Sequence, residues 1–301
     1  MNSPKIFAGS SNPQLAKLIS QKSKIPLGKM NLGVFADGEI DVWVEEKVTS
    51  SNVFILQSCS PPVNDHIIEL VLVADAFRRA GAHKITVVIP YFAYSRKEKQ
   101  SRSGEPISAK VVADLITASG AAKIICLDLH ADAIVGFFNV PVIHLSAQEV
   151  LAKRLQKAKL KNPIVVAPDT GGVKRARNFA SLLQAPLAVI EKHRHFESRD
   201  KMEVLSISGE VSGDTAILID DVISTGGTIA ESAKALKVKG VKKIIVCATH
   251  GVFAGNAIKN LEKSRIDKIY VTDSIEQKQK SSKIEVVSVS SLIADCLVAE
   301  L

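Results

Sequence analysis

Two adjacent carboxylates, Asp220 and Asp221, are followed closely by the polar, glycine-bearing run Ser224-Thr225-Gly226-Gly227-Thr228. Such a run can turn backbone N–H groups and hydroxyls into one concavity at a helix N-terminus, which suits a phosphate dianion. The paired acids then lie one sugar-length away, as acceptors for hydroxyls or as partners of a metal. The flanking pattern fits. Thr215 to Asp220 is a short apolar strand, and Thr228 to Lys239 places Ile229, Ala233 and Leu236 on one helical face before Gly240 stops it. Taken alone, the run is also compatible with a plain strand-to-helix turn carrying a Ser or Thr cap.

The elements that would position these residues recur along the chain. Short apolar runs at 5–9, 52–57, 84–90, 123–130, 162–169, 216–221 and 242–250 alternate with helical patterns, a rhythm that predicts parallel sheets covered by helices. In open sheets of this kind ligands bind outside the carboxyl ends of strands, and the residues just past these runs are rich in chemistry. After 84–90 come Arg96, Lys97, Glu98, Lys99 and Arg102. After 123–127 come Asp128 and His130, and after 162–168 come Asp169, Gly171, Gly172, Lys174, Arg175 and Arg177. The strand PLAVIE, at 186–191, leads into Lys192, His193 and Arg194. A polar connector at 161–163 restarts the strand cycle and predicts a boundary near 145–150. A faint echo between 123–130 and 242–250, each ending in His, suggests two copies of one doubly wound unit.

Composition narrows the class. The chain has 301 residues, of which 46% are hydrophobic and 23% charged, enough for two ordinary globular domains. The longest apolar candidate for a membrane helix, 67–77, is interrupted by Glu69 and Asp75, and the first residues lack a signal-peptide core. A cytoplasmic protein is expected. Cys59, Cys126, Cys247 and Cys296 are far apart and read as buried thiols rather than a zinc site or disulfide framework. The net charge of +8 fits either a nucleic-acid surface or a pocket for polyanionic small molecules. Dispersed Lys and Arg with few aromatics favour the pocket, with no nucleic-acid partner.

Taken together and in order, FADGEIDVWVEEKV, PYFAYSRKEKQSRSGEPISAK, DLHADAIVGFF, APDTGGVKRAR, EKHR and DDVISTGGT resemble the motifs of the ribose-phosphate diphosphokinase family over nearly the whole chain. The resemblance implies two similar doubly wound parallel-sheet α/β domains of the type I phosphoribosyltransferase kind. These would be 1–147 on the ATP side and 148–288 with the ribose 5-phosphate loop, with a helix at 289–301 that can return onto the first domain. It also implies transfer of a diphosphoryl group from ATP to the 1-hydroxyl of ribose 5-phosphate, yielding 5-phosphoribosyl 1-diphosphate and AMP. By motif match, Ser224, Thr225, Gly226, Gly227 and Thr228 hold the 5-phosphate, and Asp220 and Asp221 the ribose hydroxyls, directly or through Mg²⁺. Lys192 and Arg194 meet the transferring phosphates from the start of a polar flap, and Arg194 also touches ribose 5-phosphate. Arg96, Lys97 and His130 match nucleotide contacts, while Phe35, Asp37, Gly38 and Glu39 match the segment that reaches the adenine site of a neighbouring subunit. Active sites would thus be shared in a homo-oligomer. His130 and Asp169 match metal positions, with Mg²⁺ as the implied cofactor.

Some residues depart from the family pattern. Lys97 and Glu98 stand where most relatives carry Gln and Asp, which exchanges an amide's donor and acceptor for a point charge and bears on nucleotide selectivity. Ser224 replaces an Asp common in the bacterial type and removes a negative charge beside the phosphate loop. The segment EEKVTSS lacks an arginine usual in the phosphate-activated class, and the chain ends at Leu301 without that class's Ser- and Phe-containing tail. The short C-terminus, Ser-Gly-Glu-Pro and Ile-Ser-Thr-Gly-Gly-Thr look closer to the short archaeal-type branch.

Three other readings compete. A type I phosphoribosyltransferase would use the loop at 224–228 but leave the Asp-Leu-His segment and the Arg96 region unused. A catalytically silent regulatory subunit would retain the fold without turnover; Lys192, Arg194, His130 and Asp169 argue against it. A nucleic-acid-binding protein lacks an aromatic platform. The departures predict that activation by inorganic phosphate and allosteric inhibition by ADP are both weak or absent, so a sigmoidal ADP response or a requirement for phosphate in steady-state assays would overturn this expectation.

Overall fold

Continuous apolar runs such as 53–56, 85–89, 216–219 and 244–248 need cover on both faces of a sheet, and in the computed structural model they are buried throughout. The structure describes residues 3–194, 203–209, 211 and 214–301. They divide into two units, one comprising Met1–Ser146, Asp273–Glu276 and Ser288–Leu301, the other Ala147–Thr272 and Gln277–Val287. The second unit is therefore not a continuous span. Asp273–Glu276 returns to the first unit before the chain completes the second.

The first unit runs β1 (Lys5–Ala8), α1 (Pro13–Ser23), β2 (Met30–Val34), β3 (Ile40–Val44), β4 (Asn52–Leu56), α2 (Val63–Arg79), β5 (Lys84–Ile89), α3 (Ser108–Ala118), β6 (Lys123–Leu127) and β7 (Val142–Leu145). Its parallel sheet has the order β1-β4-β5-β6-β7. Beyond α1 the chain comes back to β1 on the side away from β4, where Ile6 N–H donates to Pro26 O (3.0 Å) and Gly28 N–H to Ile6 O (2.8 Å). Direction then reverses to β4, so β1 and β4 flank a topological switch point. β2 and β3 form a separate antiparallel hairpin, which the sequence reading did not resolve as strands.

At this switch point the space past the strand ends is filled by the protein itself. Glu69 of α2, 6% exposed, accepts Ser10 N–H (2.7 Å), Ser10 O–H (2.5 Å) and Gln57 Nε2–H (2.8 Å). Gln57 Oε1 in turn accepts the Ser11 hydroxyl (2.7 Å). A Cβ on Gly9 would fall 2.3 Å from Gln57 Oε1, so only glycine lets this network close. Asp273–Glu276 lies over it, with Ser58 O–H donating to Ser274 O (2.5 Å) and Asn12 Nδ2–H to Asp273 O (2.7 Å).

The second unit runs α4 (Gln148–Gln156), β8 (Pro163–Ala167), α5 (Val173–Leu183), β9 (Leu187–Arg194), β10 (Glu203–Ser208), β11 (Thr215–Ile223), α6 (Gly227–Val238), β12 (Lys243–Gly251), α7 (Ala257–Lys263), β13 (Lys268–Thr272) and β14 (Ile284–Val287). The order β10-β9-β8-β11-β12-β13-β14 is parallel except for β10, which is antiparallel to β9. Alternate residues along each strand serve two separate cores. Val165, Ile217 and Ile245 pack with Leu151 of α4 and Phe179 of α5. Val166, Leu218 and Val246 pack with Ile229 and Ala233 of α6 and Leu261 of α7. Each fully buried Leu or Ile contributes roughly 1.5–3 kcal/mol, so burial on both faces sets the register of these strands. Helix α8 (Ser290–Ala299) belongs to the first unit, where it lies against α1 and Lys22 Nζ donates to Ser291 Oγ (2.8 Å).

The α/β class and two doubly wound parallel sheets agree with the sequence reading. The echo between 123–130 and 242–250 does not survive. β6 is three places from β1, whereas β12 is two places from its counterpart β8, so the two segments occupy different positions in the repeated topology. Cys59, Cys126 and Cys247 are buried, and burial pushes the thiols of Cys59 and Cys126 up to about 12.

Replacing Glu69 by Ala removes an acceptor from the buried Gln57 amide, which keeps only His66 O, and leaves the donors of exposed Ser10 to water. Urea unfolding of Glu69→Ala should show a loss of roughly 1–3 kcal/mol, with Glu69→Gln intermediate; an unchanged midpoint would mean that the network contributes nothing to stability.

Candidate active site

In the second unit β8 connects through α5 to β9 on one side, and β11 lies on the other. β8 and β11 therefore flank the switch point, where an open α/β sheet leaves a crevice. β11 outruns β8. Their pairing ends at Leu218 with Val166, whereas β12 accompanies β11 to Ile223 opposite Gly251. Asp220 and Asp221 were expected at the end of the strand; they sit within it, on the stretch whose β8-side edge is open. The physical cause is the continued pairing with β12, which carries the extended conformation three residues past Asp220.

Asp221 is 3% exposed, and Asp220 is half-buried. Both face Arg175 of α5. Its Nη1 donates to Asp220 Oδ1 at 3.0 Å, and its Nη2 lies 3.1 Å from Asp221 Oδ1. Burial, followed by the negative charge of Asp221, pushes Asp220 well above the usual carboxylate range, and Arg175 pulls it back down. Arg175 was visible in the sequence among the cations after Asp169, but nothing in its spacing distinguished it from Lys174 or Arg177. Both of those are exposed.

The loop after β11 hangs on the segment after β12. Ile223 O accepts the N–H groups of Val252 (3.0 Å) and Phe253 (3.1 Å), and Ser224 O accepts that of Ala254 (3.0 Å). Gly226 is buried with φ +75°, and a Cβ there would meet Leu261 Cγ at 3.0 Å. No side chain caps α6. An N-terminus of this kind can offer its first amides to an anion, and the helix dipole favours negative charge there. Thr225 and Gly227 are exposed, and Ser224 and Thr228 half-buried. Asp220 and Asp221 lie among the last residues of β11, before the loop 224–228 that follows it. Asp169, exposed at the end of β8, accepts Gly172 N–H at 2.9 Å and closes the turn into α5.

Lys192 and Arg194 were expected at the start of a flap. β9 continues through Arg194, in register with β10: Lys192 opposite Leu205 and Arg194 opposite Glu203. The antiparallel partner extends the strand. The side chains of 192–194, and residues 195–202 of the expected flap, lie outside the described residues.

In the first unit, Arg96 and Lys97 are exposed on the loop after β5, and His130 is exposed after the neighbouring β6. Lys97 Nζ lies 3.8 Å from Glu105, and Glu98 pairs with Lys99 (3.5 Å). Phe35, Asp37, Gly38 and Glu39 form the tip of the β2–β3 hairpin, closed by Phe35 N–H to Glu39 O (2.8 Å). Phe35 is 55% exposed, so it serves no core of its own chain. Among the described residues no group of three or more His, Cys, Asp or Glu is arranged to hold a metal ion.

Gly226 and Gly227 respond differently to an added methyl. Gly226→Ala forces a left-handed backbone, costing about 1–2 kcal/mol, and crowds Leu261. Gly227 has no neighbour nearer than Thr225 Oγ1 at 3.9 Å. Thermal unfolding should separate Gly226→Ala, clearly destabilised, from Gly227→Ala, close to the parent; equal losses would contradict the packing argument.

Comparison with known proteins extends these observations. Residues 4–120 match the N-terminal domain of ribose phosphate pyrophosphokinase, and residues 195–299 the phosphoribosyl synthetase-associated domain. The ribose-phosphate pyrophosphokinase of Thermotoga maritima is 44% identical over 299 residues, covering 98% of this chain and 94% of that protein. The Haemophilus influenzae protein of the same name is 46% identical, covering 97% and 94%. The crystal structure of phosphoribosylpyrophosphate synthetase from Mycobacterium smegmatis superposes with a TM-score of 0.93 at 35% identity, covering 99% of both chains. With both halves matched and nearly every residue aligned, the chain belongs to the ribose-phosphate pyrophosphokinase family.

Proposed function

We propose that the protein transfers the β,γ-diphosphoryl group of ATP to the 1-hydroxyl of ribose 5-phosphate, giving 5-phosphoribosyl 1-diphosphate and AMP for nucleotide biosynthesis. The observation that carries this reading is the switch point of the second unit. There a near-buried acid pair stands beside an uncapped helix N-terminus, and a ligand with vicinal hydroxyls and a phosphate meets both features. Ser224, Thr225, Gly226, Gly227 and Thr228 would take the 5-phosphate, and Asp220 and Asp221 the ribose hydroxyls.

The reaction forms a bond from the sugar's 1-oxygen to the β-phosphorus and breaks the bond between that phosphorus and the oxygen bridging to the α-phosphate. AMP leaves with the electron pair, and the hydroxyl proton is lost to the surroundings. Positioning and charge supply most of the acceleration in such a transfer. Lys192 and Arg194 would meet the transferring phosphates, with Arg194 also at ribose 5-phosphate. Arg96, Lys97 and His130 would contact ATP in the first unit. Phe35, Asp37, Gly38 and Glu39 would serve the adenine of a second copy in a homo-oligomer with shared sites, a role that the exposure of Phe35 supports.

His130 and Asp169 are exposed, and by motif match each would offer one ligand to Mg²⁺, with phosphate and water oxygens supplying the rest of its shell. Mg²⁺ bound with the phosphates would neutralise charge on their oxygens. No helix among the described residues is long and apolar enough to cross a membrane, and we place the reaction in the cytoplasm.

Incubation of the pure protein with Mg²⁺, ATP and ribose 5-phosphate should release AMP and 5-phosphoribosyl 1-diphosphate in equal amounts by chromatography. Folded protein with no AMP above a control lacking ribose 5-phosphate would point to a silent subunit, and release of pyrophosphate only with a nucleobase present would point to a transferase. Lys192→Ala should lower turnover at least about 100-fold with ribose 5-phosphate binding largely intact; near-normal turnover would remove Lys192 from this role.

A further inference from the structure

Arg175 occupies the first turn of α5, a turn that contains no acid. The positive end of a helix disfavours a cation there, and a residue that breaks a local preference invites a functional reason. Lys174 and Arg177 are exposed, whereas the Arg175 side chain is only 17% exposed. Its two terminal nitrogens are divided between two carboxylates, Asp220 at 3.0 Å and Asp221 at 3.1 Å. Consecutive strand residues face opposite ways, so a single group reaches both only from a strand edge. β11 has such an edge past Leu218, where β8 stops pairing, and α5, which follows β8, delivers Arg175 to it.

The surroundings hold the guanidinium in place. A Cβ on Gly172 would lie 3.7 Å from Arg175 Nη1 and 3.6 Å from Asp169 Oδ1, so the turn after β8 closes directly over the guanidinium. Asp220 Oδ1 accepts the Asp221 N–H at 2.9 Å as well as Arg175. Two like charges on neighbouring residues repel, most strongly where water is excluded. The planar cation offsets that repulsion, directing Asp220 through a hydrogen bond from Nη1 and meeting Asp221 Oδ1 with Nη2 as an ion pair rather than a hydrogen bond; a lysine ammonium is a single point charge that could not serve both acids in this way.

We propose that Arg175 is a positioning residue of the sugar subsite, holding Asp220 and Asp221 as one rigid acceptor pair for the vicinal hydroxyls of ribose 5-phosphate. This rests on the assignment of those two acids to the ribose hydroxyls. Arg175 acts through them and takes no part in the bond exchange. Its loss therefore bears on ribose 5-phosphate far more than on ATP.

The test compares Arg175→Gln, Arg175→Lys and Asp220→Asn in the full-length protein, with the KM of each substrate and kcat measured. Calorimetric titration with ribose 5-phosphate adds a readout that needs no turnover. Arg175→Gln should raise the KM and the dissociation constant for ribose 5-phosphate by about 10-fold or more while the ATP KM stays within about twofold. Arg175→Lys should recover only part of the loss. Equal rises in both KM values would mark a merely structural role and overturn the proposal. So would a parent-like ribose 5-phosphate KM in Arg175→Gln beside a raised one in Asp220→Asn, an outcome that leaves the sugar assignment standing. An unchanged constant in Asp220→Asn would instead remove the sugar assignment, and the proposal with it. Should Arg175→Gln fail to fold by circular dichroism, Arg175→Lys decides, because full parental affinity there would show that the forked bridge is not required.

Discussion

Two carboxylates on consecutive residues, one of them almost wholly buried, repel each other unless one takes up a proton or both meet a cation. Asp220 and Asp221 obtain theirs from Arg175, and much of the second unit follows from that requirement. β8 must stop early enough to leave the edge of β11 open, β12 must continue far enough to keep β11 extended, and α5 must start directly after the turn at Asp169. Apolar burial on both faces of the sheet supplies the rigidity that keeps these lengths in register. The polar site is then assembled from strand ends whose positions the core has already settled.

The two units use one topology to different ends. Each reverses its strand order beside its first strand, and each therefore has a crevice at the carboxyl ends. In the first unit that crevice is closed by Ser10, Ser11, Gln57 and Glu69 and by the returning segment Asp273–Glu276. Every donor added to such a network removes room for a ligand and adds stability, provided each finds its acceptor. In the second unit the corresponding place keeps an uncapped helix N-terminus and an acid pair held ready by a guanidinium. One switch point is closed by the protein's own hydrogen bonds, and the other is where we propose that ribose 5-phosphate binds. In the first unit the predicted chemistry moves along the sheet to the ends of β5 and β6, where Arg96, Lys97 and His130 are exposed.

The strands that carry the sites were legible because both their faces are buried. Such strands show as unbroken apolar runs, and the polar residues after them mark the carboxyl ends. The hairpin of β2 and β3 was not legible for the opposite reason. It belongs to neither parallel sheet, and Val34, Phe35 and Trp43 are exposed on it, so no alternation with a core imprints it. Phe35 reads as a core residue by type, yet it stands at the hairpin tip. Glu69 first appears as a charge interrupting an apolar helix; its burial makes sense only once Ser10 and Gln57 are seen around it. The apparent repeat between 123–130 and 242–250 arose because buried parallel strands draw on the same few residues whatever their place in the sheet.

Residue types and spacing alone determined the α/β class, the acid pair with its phosphate-type loop, the stop of α6 at Gly240 and the order of motifs shared with the family. All of these depend on interactions between residues near one another in the chain or on the unbroken apolar run of a strand buried on both faces. Tertiary structure decided the rest: that β11 runs on past Asp221, that Asp273–Glu276 returns to the first unit, and that Arg175, rather than Lys174 or Arg177, reaches the acids. These outcomes turn on where one strand ends relative to its neighbour. That difference is set by pairing and packing among segments tens of residues apart, and no local pattern encodes it.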